Sequence, residues 1–146
     1  MQALILAVGN ALRRDDGAAH FVLSRLGSAP AVQTRALLQL TPELAEEIAD
    51  FDVILFIDAD ASVPAVTLEP LDPSPAEAPS FTHVSRPAEI VALSRALYGF
   101  AGRAFLCRIP VDDLSAGEGL SHRATVYCQD ALNQIGEWSA IVLKTS

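Results

Sequence analysis

The segments 2–8, 52–58 and 104–109 read as short apolar strands, with "ALILAV" (3–8) and "VILFI" (53–57) the longest uninterrupted apolar runs in the chain. A strand that is apolar at successive positions has no face to give to water, so it must be covered on both sides, as central strands of a parallel sheet are. Two further strand candidates, 31–37 and 65–70, are less apolar, and helical patterns lie between most of the five. The order β-α-β-α-β-β-α-β-α points to an α/β fold, a three-layer α/β/α sandwich around a mixed, mostly parallel five-stranded sheet. Segment 65–70 follows the third strand after only six residues, too few for a parallel crossover, so this fourth strand is expected to run antiparallel. All 146 residues fit a single domain, 1–146, large enough to bury a continuous core.

The helices are legible from their ends. Segment 16–27 opens on "DDG", with Asp16 a natural N-cap and Phe21, Val22 and Leu26 on its apolar side. Segment 41–48 has Thr41 as cap and Pro42 at the first helical position. A third helix over about 86–98 repeats Ile90, Leu93 and Leu97 at helical spacing, with Ser85 and Pro87 near its start and Gly99 past its end. A fourth, about 120–135, carries Leu120, Ala124, Tyr127, Ala131 and Ile135, and "EWSAIVLKTS" either extends it across Gly136 or breaks there. The proline-rich 71–83 reads as a loop, not as an interdomain linker.

Composition narrows the functional classes. Net charge is −8, and it is concentrated in residues 1–73, with eleven acids against four bases; such a chain repels phosphate backbones, which argues against nucleic acid as a partner. No apolar run approaches the ~20 residues that span a bilayer, so no membrane association is expected. The N-terminus lacks the basic region and cleavage site of a signal peptide, and Cys107 and Cys128 form neither a CxxC pair nor a disulfide framework, which suggests a cytoplasmic protein.

In an open α/β sheet, ligands collect at the carboxyl ends of the strands. Those ends hold Gly9, Asn10, Asp15 and Asp16 after strand one and Asp58 and Asp60 after strand three, with His83 just before the third helix. A phosphate loop is excluded: the next glycine after Gly9 is Gly17, and no Gly-Lys-Ser/Thr follows. A serine-hydrolase elbow is missing, and Cys107 sits within a buried strand, where thiols are inert. Two carboxylates and an imidazole from separate loops, Asp16, Asp58 and His83, suit a borderline divalent metal such as nickel, zinc or manganese. Each also has an ordinary explanation, as helix cap, strand end and solvated loop residue. His20 shares a helical face with Asp16 but reads more simply as a half-buried helix histidine, and His122 as a surface residue. Asp60, Asp112 and Asp113 read as solvated loop acids, and Asp15 as a capping or supporting carboxylate beside Asp16.

Taken together, "ILAVGNALRRDDGAAHFVLSRL", a buried strand ending in "FIDA", "FTHVSRPAEIVALSRALYG" and "GLSHRATVYCQDAL" resemble the [NiFe]-hydrogenase maturation proteases in motif order and spacing. That resemblance implies a phosphorylase/hydrolase-like sandwich with strand four antiparallel. It implies an endopeptidase, monomeric and cytoplasmic, that removes the C-terminal extension of a [NiFe]-hydrogenase large-subunit precursor once nickel is inserted. The nickel is carried by the substrate and contacted by Asp16, Asp58 and His83, with zinc or another divalent ion able to substitute in the isolated protein. Asp16 and Asp58 are the implied catalytic carboxylates, acting through an activated water. One segment departs from the pattern: "LLQLTPEL" (37–44) stands where many members have a glycine-rich stretch, retaining only Thr41. A non-catalytic module that binds a hydrogenase or other metalloprotein precursor is the alternative this departure leaves open.

Overall fold

The computed structural model describes residues 1–74 and 86–143. Five strands form one sheet: β1 (Ala3–Val8), β2 (Val32–Leu37), β3 (Val53–Ala59), β4 (Thr67–Pro70) and β5 (Arg103–Ile109). Their order is β2-β1-β3-β5-β4, and β4 alone pairs antiparallel, as the short β3–β4 connection requires.

Alternation along the three central strands divides the core in two. Ile5, Ala7, Leu55, Ile57, Phe105 and Cys107 face α1 (Ala18–Arg25) and α4 (His122–Val142). Leu4, Leu6, Ile54, Phe56 and Leu106 face α2 (Leu44–Ile48) and α3 (Pro87–Tyr98). These strands are apolar at nearly every position because both faces are covered. On the α4 side the ring of Trp138 meets that of Phe105 edge-on, with centroids 5.4 Å apart.

Several helix expectations need correction. Asp16 does not cap α1. A 3-10 turn, Arg14–Gly17, precedes the helix, Gly17 occupies the cap position, and no side chain caps the end. The Asp16 carboxylate turns back instead, accepting the Asn10 amide at 2.8 Å. Thr41 and Pro42 lie one turn ahead of α2, their carbonyls accepting the amides of Leu44 and Ala45 in tight turns. Leu97 is 62 % exposed, because α3 buries a stripe centred on Ile90, Val91 and Leu93 and has turned away from the sheet by its last turn. Of the two courses the sequence left open, α4 takes the longer and runs straight through Gly136: burying Trp138 and Val142 outweighs the ~1 kcal/mol that a mid-helix glycine costs.

The loops at the carboxyl end of the sheet are tied together by Asp15, which is fully buried. Its carboxylate accepts the amides of Asp112, Asp113 and Ser121 at 2.8, 2.7 and 2.7 Å, and the Ser121 hydroxyl at 2.7 Å. Ser121 in turn caps α4, its oxygen accepting the Ala124 amide at 3.2 Å. The main chains of the two loops also meet, with Asp15 donating to Asp113, Arg14 to Gly117 and Gly117 to Leu12. Burial pushes the Asp15 carboxyl up, but the Ser121 amide and hydroxyl, followed by the Asp113 and Asp112 amides, hold it below the usual aspartate value.

Replacing Asp15 with Asn directs an amide NH2 at a nest of donors, and Asp15→Ala leaves those donors with no acceptor. Each variant is expected to lose about 2–4 kcal/mol in urea unfolding at pH 7. Because the folded carboxyl is held low, its contribution is present above the ordinary aspartate value and is lost as pH falls from there through the folded value. The gap between wild type and Asp15→Ala should therefore close at low pH.

Candidate functional site

Where β3 and β5 end against the start of α3, a polar cleft of about 230 Å3 opens, lined by Asp58, Asp60, Arg86, Arg108, Leu71 and Leu106. Asp58 ends the run "VILFI" on the same face as Ile54 and Phe56, so alternation points it toward α3. Its register partners are Val8 on β1 and Arg108 on β5. Asp60 has a more defined place than a solvated loop acid: it lines the cleft, and its Oδ1 accepts the Ser62 amide at 2.8 Å and hydroxyl at 2.6 Å.

Asp16 approaches from the β1 side. Gly9 permits this, because a Cβ there would stand 2.0 Å from the Asp16 carbonyl oxygen and push the Asp16 backbone away. The adjacent Asp15 and Asp16 thus point opposite ways across a tight turn, one into the loop interior and the other toward the strand ends. The Asp16 charge reaches Asp58 across the strand ends. Burial pushes the Asp58 carboxyl up, the charges of Asp60 and then Asp16 push it further, and it comes to about 6 despite the Ala59 amide and Arg108.

His83 lies outside the described residues. Among the described residues, no group of three or more His, Cys, Asp or Glu side chains is arranged to hold a metal ion. His20 spends its Nε2 on the Leu37 carbonyl at 3.0 Å, fastening the end of β2 to α1. His122 is exposed, and Asp113 and Asp112 pair with Arg14 and Arg123 at 3.1 and 3.8 Å. Both cysteines are buried, and burial pushes Cys107 up to about 12 and Cys128 up to about 11, which keeps them inert thiols. Arg86 and Arg108 are the charged cleft residues that reading the sequence passed over. For Arg108 the signal was its place two residues after Leu106, which puts it on the α3 face beside Asp58.

A carboxyl at about 6 is ready to take a proton near neutral pH, which is what a general base needs. It also costs stability. Between the ordinary aspartate value and about 6 the folded chain holds a proton that the unfolded chain has released, so stability falls as pH rises through that window. Asp58→Asn is therefore expected to stabilise the fold by about 1–3 kcal/mol at pH 7.5 and to leave it unchanged near pH 4. Urea unfolding at the two pH values checks this, and an equal gain at both would contradict it.

No protein-family model and no curated protein matches the sequence. Solved structures do match. The hydrogenase maturating endopeptidase HybD of Escherichia coli superimposes with a TM-score of 0.72 at 18% identity, over 96% of this chain and 93% of that one. The [NiFe] hydrogenase maturation protease HycI of Thermococcus kodakarensis gives 0.70 at 18% identity, over 93% and 90%. An uncharacterized protein of Wolinella succinogenes gives 0.68 at 25% identity, over 97% and 99%. Across nearly its whole length, this chain has the fold of the hydrogenase maturation endopeptidases.

Proposed function

We propose that this chain is a maturation endopeptidase that removes the C-terminal extension of a [NiFe]-hydrogenase large-subunit precursor after nickel insertion. The observation that carries this reading is the approach of Asp16 and Asp58 at the carboxyl ends of β1 and β3, where Asp16 raises the proton affinity of Asp58. That pair stands in a fold shared along most of its length with hydrogenase maturation endopeptidases. His83 completes the proposed ligand set.

The chemistry follows from an incomplete site. Two carboxylates and one imidazole leave coordination positions free, so they can grip a nickel ion that the substrate's own ligands already hold. An empty precursor offers them nothing to grip. In this reading Asp58 takes the proton of the attacking water, and Asp16 helps to hold the metal-bearing segment beside it.

Incubation of the purified protein with nickel-loaded large-subunit precursor is expected to shorten the precursor at its C-terminus, read by intact mass. Metal-free precursor should stay whole. Asp16→Ala and Asp58→Asn should each slow processing about 100-fold or more. Stable co-purification with no change in mass, persisting in Asp16→Ala, would replace this reading with that of a binding module, to which the exposed Leu38 in the divergent segment 37–44 would then belong. The free protein should hold nickel weakly and lose it to chelator dialysis.

A further inference from the structure

Hydrolysis of a peptide bond by an activated water needs two things from a protein: a base for the water's proton, and a donor for the negative charge that develops on the carbonyl oxygen. The proposed function assigns the first and leaves the second open. Arg108, one residue before the end of β5, is the register partner of Asp58 on the neighbouring parallel strand, so their Cα atoms stand about 5 Å apart. Both residues follow, by alternation, the side chains that face α3, and both line the same cleft.

The guanidinium is lightly used. Its charge partner is Asp60, with Nε 3.7 Å from Oδ2, too long for a hydrogen bond. Among the described residues its side chain makes no hydrogen bond, and it is 43% exposed on the cleft side of the sheet end. The other cation of the cleft, Arg86, has its Nε on Glu89 at 3.2 Å and is 81% exposed. An arginine kept only to pair with Asp60 would be expected to grip it in two-pronged fashion; here the planar fork of donors is left over.

Resting on the endopeptidase reading, we propose that Arg108 is a catalytic residue that receives the scissile carbonyl oxygen and stabilises the oxyanion formed beside Asp58. Water attacks the carbonyl carbon and gives one proton to the Asp58 carboxylate, while the C=O π electrons move onto the oxygen that Arg108 holds. When the oxyanion collapses, the C–N bond breaks and Asp58 returns the proton to the departing nitrogen. The products are a mature chain with a new C-terminal carboxylate and a released peptide with a free amine.

Kinetics of nickel-loaded precursor cleavage by Arg108→Gln, Arg108→Lys and Arg108→Ala test this, beside thermal unfolding of each. Expected are a fall in kcat of about 10²–10³ for Arg108→Gln with KM within about threefold, and partial recovery in Arg108→Lys. Recovery of Arg108→Ala activity on adding millimolar guanidinium, at unchanged melting temperature, is also expected. Wild-type kcat in Arg108→Gln, a loss confined to KM, or a loss that tracks lowered melting temperature without rescue would overturn the proposal while leaving the endopeptidase reading intact. A wild-type protein that fails to cleave would overturn both.

Discussion

The buried carboxylate of Asp15 holds the working end of this molecule in one shape. Burying a charge is costly unless its lone pairs are filled, and four donors from Asp112, Asp113 and Ser121 fill them. Those donors lie about a hundred residues further along the chain, in the loop between β5 and α4, so one side chain joins the loop after the first strand to the loop after the last. Ser121 passes the constraint on by capping the helix that covers half the core.

What the clamp makes possible is the placement of its neighbour. With Asp15 pinned inward, the tight turn presents Asp16 to the opposite side, above Gly9, where only a missing side chain leaves room. Asp16 then adds its charge to that of Asp60 around Asp58, whose burial already favours the protonated form. At neutral pH this crowding of negative charge around Asp58 works against the fold, an arrangement of the kind found where stability is given up for function. Arg108 offsets it only in part, through a long contact with Asp60 and a weak pull on Asp58.

The architecture was legible in the sequence because its cause is local. Apolar runs at 3–8 and 53–57 leave no choice but burial on both faces, and six residues between the third and fourth strands leave no choice but antiparallel pairing. Asp58 was legible for the same reason, as the first acid after such a run. The division of labour between Asp15 and Asp16 was not, since adjacent residues on a 3-10 turn face apart and the donors that decide the matter are distant in sequence. Nor was the length of α4, where the packing of Trp138 on Phe105 overrides the local signal of Gly136. Asp60 and Arg108 joined the cleft only once strand order set β5 beside β3.

Asp15 is locked as a carboxylate, while the charges of Asp60 and Asp16 raise Asp58 across the strand ends. Titration of the aspartate carboxyl carbons by NMR measures both effects directly. Asp58 is expected to titrate near 6 and to move down in Asp16→Asn, while Asp15 stays ionised below the pH at which an ordinary aspartate has gained its proton. An Asp58 that titrates as an exposed aspartate does, unchanged by Asp16→Asn, would contradict the account.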